Sequence, residues 1–174
     1  MAVATADLCQ TNRMKRWIFR IVSGLLLAGL ILWVSQWLAA DEPEPPAIWQ
    51  SMATGELQII RPNGQVDLIT VRIADDSRKR AQGMQHLPAA IIREHPIWFI
   101  FEEPQRVSWH MRNVSLALDI VYVDTTGVVL GIERMEPEGT GYGINQPIAA
   151  ALELAAGQAE QLDLRRGVRI KLSN

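Results

Sequence analysis

The chain has 174 residues, 48% of them hydrophobic, and a formal net charge of −2 at pH 7. That charge is unevenly divided: residues 1–40 carry four bases against one acid, and residues 41–174 carry thirteen bases against eighteen acids. An acidic C-terminal part argues against a nucleic-acid partner, because cations on phosphate supply most of that affinity. Cys9 is the one cysteine, so everything after it is without a disulfide, a cysteine nucleophile or a thiolate metal site.

In chain order, residues 1–20 form a basic tail with Arg13, Lys15, Arg16 and Arg20. Residues 21–40 are an almost unbroken apolar run, which as a helix is about 30 Å long, the thickness of a bilayer's hydrocarbon core. Trp17, Trp33 and Trp37 lie toward its ends, where amphipathic rings prefer the headgroup level. The basic flank is expected to stay in the cytoplasm. The run then reads as a single-pass transmembrane signal anchor in a bacterial inner membrane, with the C-terminal domain in the periplasm. The competing reading is a signal peptide cleaved after Ala39 or Ala40 to release a periplasmic protein. Trp37 or Leu38 would then stand where such sites want a small residue.

Residues 41–54 begin with Asp41 to Ala47 (DEPEPPA), an acidic, proline-rich spacer. Residues 55–174 are enough for one domain with one core. Leu57 to Arg61 and Val66 to Ile73 read as a β-hairpin around Asn63-Gly64, a pair suited to a type I′ turn. Ser77 is placed to cap a short helix through Gln82, which Gly83 ends. Ile97 to Phe101 (IWFIF) is a strand buried on both faces, Glu102 to Gln105 a turn, and Val107 to Met111 the returning partner strand. Leu116 to Val123 and Val128 to Ile132 are strands joined by the turn Asp124 to Gly127, and Glu136 to Pro147 is expected as a mobile glycine-rich loop. Ile148 to Ala156 fits helix by its alanines and strand by its place between breakers. Glu160 to Leu164 is a helical turn before the closing strand Val168 to Leu172. Short strands with turns between them predict a mostly β, compact β-sandwich or jelly-roll-like domain, or a partly closed barrel, with one or two short helices.

The stretch Ser108 to Ile120 (SWHMRNVSLALDI) resembles the central motif of the bacterial and archaeal family "domain of unknown function 192". Met111, Asn113, Leu118, Asp119 and Ile120 match that motif and Arg112 stands for its lysine. His110, Val114 and Ala117 replace its usual tryptophan, threonine and proline. Arg80 to Met84, Trp98 to Phe101, and Ala151 to Leu154 with Gly157 look like the family's helix and glycine, buried strand, and late strand and turn. The likeness runs from about Val71 to Leu172. It implies a compact β fold akin to a jelly roll, often behind a signal sequence, and no particular activity.

Asp119 is a charge within an apolar strand (LALDIVYV), costly to bury unpaired. Arg112 and Asn113 are its expected partners. Together with His110 and with Tyr142 in the loop GTGYG they form the candidate ligand-binding set. The alternative is that Asp119 locks a turn by accepting backbone N–H groups. Trp98, Trp109 and Tyr142 are aromatics able to stack on a sugar or peptide, with core packing the plainer role for Trp98. His86, His95 and His110 lack the spacing of a metal site, so neither a metal nor a cofactor is expected. Ser108, Ser115, His110 and Asp119 supply the types for a triad without a nucleophile elbow, and Asp119 with Glu133 would be a carboxylate pair only if strands bring them together. No residue is therefore assigned a catalytic role. The expectation is a membrane-anchored periplasmic β-domain that binds a polar small molecule or an envelope protein. An envelope hydrolase acting through Asp119, and an accessory subunit of a membrane complex, are the alternatives.

Overall fold

The computed structural model describes residues 43–173; the expected basic tail and membrane anchor lie outside them. Among the described residues no helix is long and apolar enough to cross a membrane. The described residues form nine strands, arranged as a seven-stranded sheet and a two-stranded one, and four helices of four to six residues. In chain order these are α1 (Ala47–Gln50), β1 (Ala53–Ile60), β2 (Val66–Ala74), α2 (Ser77–Gln82), α3 (Ala89–Glu94), β3 (Ile97–Gln105), β4 (Trp109–His110), β5 (Leu118–Val123), β6 (Val129–Met135), β7 (Thr140–Tyr142), β8 (Ile148–Ala155), α4 (Gln158–Gln161) and β9 (Arg169–Leu172).

The large sheet runs β6-β5-β8-β3-β2-β1-β9. Its two edge strands meet: Val128 bridges Arg169, the Val129 N–H donates to the Val168 carbonyl (2.8 Å) and the Ile170 N–H to the Gly127 carbonyl (2.7 Å). A Cβ on Gly127 would fall 2.7 Å from the Ile170 carbonyl oxygen, so the seam closes only over glycine. One sheet bent back on itself therefore stands in place of two stacked sheets, the partly closed barrel of the two expected arrangements. Closure removes the unpaired edges that a flat sheet would expose.

Strand alternation sorts the side chains onto two cores. Leu57, Ile59, Val71, Trp98, Val121, Leu152 and Leu154 fill the inside of the closed sheet. Ile97, Phe99, Phe101, Leu118, Ile120 and Tyr122 point outward and are covered by Trp49, Met84, Ile92, Trp109 and Met111 from the helices and loops. That split puts adjacent residues of β3 into different cores, which is why IWFIF is apolar throughout. Trp49 and Met52, within the expected spacer, belong to the outer core.

Several local expectations are corrected. The hairpin turn is a three-residue loop: Gly64 alone adopts a left-handed φ of 85°, while Pro62 favours the φ of a type I turn. The α2 cap is Asp76, whose side chain accepts from the Arg78 and Lys79 N–H groups, and not Ser77. β3 continues through Glu102 to Gln105, because Gln105 pairs with Ile148 across a register shift. β4 does not return along β3; it pairs with β7, which gives the expected glycine-rich loop a strand. β2 and β3 are parallel, joined by a crossover that carries α2 and α3. Ile148 to Ala155 is a strand at the centre of the sheet, between β5 and β3.

Candidate functional site

Asp119 is buried, and its partners are not the expected ones. One oxygen accepts from Arg134 Nε at 2.6 Å, and the other from the Gly157 N–H (2.7 Å) and the Ala159 N–H (3.2 Å). Both oxygens are thus engaged in pinning the turn between β8 and α4 to β5 and β6. Arg134 becomes the partner because antiparallel register sets it opposite Asp119. Arg112 and Asn113 are exposed residues of the turn after β4. Asn113 holds a left-handed φ of 58°, its N–H donates to Glu138 Oε1 (2.9 Å) and its carbonyl accepts from the His86 N–H (2.8 Å). Its role is to strap the segment after α2 to the turn after β4.

Tyr142 is half-buried, its hydroxyl accepting from the Glu136 N–H at 2.9 Å. Glu133 accepts from the Tyr122 hydroxyl (2.8 Å) and the Gly143 N–H (3.0 Å), and lies opposite Ile120, one position off Asp119. The Tyr122 hydroxyl ionises only well above its ordinary range, chiefly because it is buried and then because it donates to Glu133. Asp119, Asn113, Arg112 and Tyr142 therefore do not converge, and Asp119 and Glu133 are not a working pair.

His110 alone of the five candidates lines the best-formed cavity, a recess of about 270 Å³. Its walls are the end of α2 with Gly83 to Gln85, the outward rings of β3, and the segment Val107 to His110. Phe99 and Trp109 meet edge to face there, ring centroids 4.8 Å apart. Arg80 lies 5.5 Å from the Phe101 centroid, while its Nη1 donates to the Asp75 (2.9 Å) and Ile100 (2.8 Å) carbonyls. His110 is exposed at the rim, on the strand face opposite buried Trp109 and Met111, as alternation predicts.

Glu153 of β8 is the residue that sequence reasoning missed. It is 6% exposed, and its Oε2 is buried with no hydrogen-bond partner, as is the indole Nε1 of Trp109, in the same cavity wall. Burial pushes the Glu153 carboxyl up to about 8, so at neutral pH most of it carries its proton. Gly83 packs beside it. A Cβ at Gly83 would lie 3.6 Å from Glu153 Oε2 and 3.7 Å from Phe99 Cζ, and the φ of 45° with ψ of −135° is one that side chains resist. The signal for Glu153 was there to read, a single acid inside the apolar run IAAALELA.

The family model described as "Uncharacterized ACR", domain of unknown function 192 (DUF192), matches residues 58–172. The chain belongs to the DUF192 family. No curated protein matches it. Two crystal structures are similar to this DUF192 domain. One, from Sinorhizobium meliloti 1021 and provisionally described as a transcription regulator, has a TM-score of 0.65 at 28% identity, over 70% of this chain and 95% of that one. The other, a protein of unknown function from Novosphingobium aromaticivorans DSM 12444, has a TM-score of 0.63 at 22% identity, over 76% of this chain and 96% of that one. Among the described residues of the DUF192 domain no three His, Cys, Asp or Glu residues are grouped to hold a metal ion. His95, half-buried, meets Trp49 edge to face with ring centroids 5.6 Å apart, and does not line the cavity.

Proposed function

We propose that this DUF192 chain is a membrane-tethered, non-catalytic binding module of the bacterial envelope, and that the cavity beside α2 holds a polar small molecule. One observation carries the reading: two buried polar atoms, Glu153 Oε2 and Trp109 Nε1, are without partners, and both residues line one cavity. Buried polar groups are normally paired, and leaving one unpaired costs about 1–3 kcal/mol. A ligand that pairs both recovers that cost. The apolar run 21–40, with bases before it and acids after it, supports the tether and the periplasmic orientation. An excess of acids after residue 40 speaks against carrying over the transcription-regulator description of the Sinorhizobium protein.

Native mass spectrometry of the full-length chain, purified from membranes and released from detergent in the gas phase, tests the site. A retained small molecule is expected, lost when Glu153 and Trp109 are changed to Gln and Phe. An empty wild-type chain, whose melting temperature no member of a panel of polar metabolites raises, would sink the reading. The tether is tested separately by carbonate washing and by a reporter fused after Asn174. Release of the uncut chain, or a reporter active only in the cytoplasm, would refute it.

One observation favours a second reading, the accessory subunit: Val66 and Leu68, 49% and 57% exposed, alternate onto one face of β2. Co-purification of a stoichiometric membrane partner that is lost on Leu68→Asp would support it over the ligand site. The hydrolase reading gains nothing from the geometry. Asp119 is engaged in pinning a turn, and the cavity wall holds one carboxylate, Glu153.

A further inference from the structure

We propose that the cavity selects a small organic cation that also carries an oxygen acceptor, its ammonium nitrogen on the Glu153 carboxylate and its oxygen on the Trp109 indole N–H. This rests on the ligand-binding reading of the same cavity and narrows it to a chemical class. A recess of about 270 Å³ takes roughly ten non-hydrogen atoms at liquid-like volume.

The argument begins with what the fold does for its other acids. Asp119 receives a guanidinium and two backbone N–H groups; Glu133 receives a hydroxyl and a backbone N–H. Glu153, in register between Ile97 and Ile120, has no hydrogen-bond donor among the described residues. The guanidinium in the cavity lining, Arg80, has its Nη1 shared between the carbonyls of Asp75 and Ile100 and lies over Phe101. It forms part of the wall and does not neutralise Glu153.

Ligand classes can then be compared on what they would meet. An anion would find one guanidinium in the wall, Arg80, whose Nη1 is already shared between two carbonyls, and would be repelled by Glu153 wherever that group is ionised. An apolar molecule would leave both polar atoms unpaired, at the cost given above. A neutral hydroxyl would serve one or both atoms but draw nothing from the rings. A cation with an apolar body gains the carboxylate and packs against the aromatic rings of Phe99 and Trp109 that line the cavity. Gly83 lines the same cavity, and a Cβ there would lie 3.6 Å from Glu153 Oε2, so a side chain at this position would pack directly on the acid.

Selection of a cation implies a proton balance. Below about pH 8 the bound ammonium displaces a proton: the neutral Glu153 carboxyl and the free ammonium ion give a carboxylate–ammonium pair, and one proton goes to solvent. Affinity should therefore rise about tenfold per pH unit between roughly pH 6 and 7.5 and level off near 8, while the amine stays protonated. The other charged or titratable groups facing Glu153 are Arg80 from α2, His110 from β4 and Tyr122 from β5, with Glu133 of β6 behind Tyr122. Tyr122, pushed up by burial, keeps its proton in this range. His110, at the rim, is separated by mutation.

The test uses three rigid soluble molecules of matched shape, 4-aminocyclohexanol, 1,4-cyclohexanediol and 4-hydroxycyclohexanecarboxylate, titrated by ligand-observed NMR against the full-length chain in detergent. The amine should bind at least tenfold more tightly than the diol at pH 8, and the carboxylate should not bind. Its affinity should fall about tenfold from pH 7 to pH 6. Glu153→Gln, which replaces a buried acid by a neutral side chain of the same size and should fold, is expected to bring the amine down to the diol's affinity and abolish the pH slope. His110→Gln should keep the slope. Trp109→Phe should weaken the amine severalfold with the slope unchanged. Equal binding of amine and diol, or a flat pH profile for the amine, would overturn the cation while leaving the cavity a ligand site. Failure of all three molecules overturns the cation as well, and the ligand site falls with it only if the native chain also carries no adduct.

Discussion

Asp119 and Glu153 lie on neighbouring strands of one sheet, one step out of register with each other, and both are buried. Alternation sends them to opposite faces. Asp119 points with Leu154 toward the inside of the closed sheet, at the end where α4 turns back. Glu153 points with Ile120 into the outer layer, beneath α2. The fold surrounds the first with donors and leaves the second without any. A buried acid completed by its own chain is part of the architecture, whereas one left incomplete is a place where something from outside can be bound.

The largest effect separating the two should come from removing the completed acid. Asp119→Ala leaves the Gly157 and Ala159 N–H groups without their acceptor and frees the half-exposed Arg134. A loss of about 3 kcal/mol is expected from three charge-assisted hydrogen bonds, read as a fall in the urea midpoint with unchanged slope. A loss below about 1 kcal/mol would mean that Asp119 does not hold the turn.

Both acids gave the same signal in the sequence, one charge inside an apolar run, but only Asp119 could be singled out. LALDIVYV is β-branched and reads as a strand, so its acid had to be buried. IAAALELA is rich in alanine and fits helix equally, and on a helix Glu153 could face water. The alternation of Ile69, Val71 and Ile73, the end of α2 at Gly83 and the turn at Asp124 to Gly127 were all legible, because each depends on neighbours in sequence. The β4–β7 pairing and the seam between β6 and β9 depend on contacts far apart in the chain. The partners of Asp119 were misassigned for that reason: Arg112 and Asn113 fold toward His86 and Glu138 and not back along β5.

The incomplete acid should show itself in the pH dependence of stability. Glu153 ionises near pH 8 when folded, against an ordinary value of 4.5, so the folded state keeps the proton that the unfolded chain gives up. Its stabilising share is whole below about pH 4.5, declines as pH rises toward 8 and is constant above that. Allowing for relaxation around the buried group, the wild-type domain should lose about 2 kcal/mol between pH 5.5 and 7.5 relative to Glu153→Gln. Chemical denaturation at four pH values measures it. Parallel profiles for the two proteins would show that Glu153 is solvated and the contrast with Asp119 false.

A smaller effect sharpens the contrast at the cavity itself. Gly83→Ala imposes a side chain on a φ of 45° and sets its methyl 3.6 Å from Glu153 Oε2. The backbone strain should cost about 1–2 kcal/mol. The loss of space should reduce binding of any cavity ligand more than does Ser77→Gly, a change at the exposed start of α2, away from the cavity. If both variants bind alike, Gly83 is there for its backbone conformation alone.

The smallest effect concerns Asn113, placed by its neighbours in sequence among the candidate ligand residues and by the structure in a turn. Its φ of 58° is tolerated by asparagine and freely adopted by glycine. Asn113→Gly should leave thermal stability within about 0.5 kcal/mol of wild type, and Asn113→Ala should cost about 1 kcal/mol, since alanine has no side-chain compensation in that region. Neither should change ligand binding by the cavity as long as the His86 N–H still finds the residue-113 carbonyl. The ordering of the two variants decides the role. If glycine is the more damaging, and binding falls with it, the amide of Asn113 reaches a ligand after all, and the site extends from the Glu153 recess across the His86 strap.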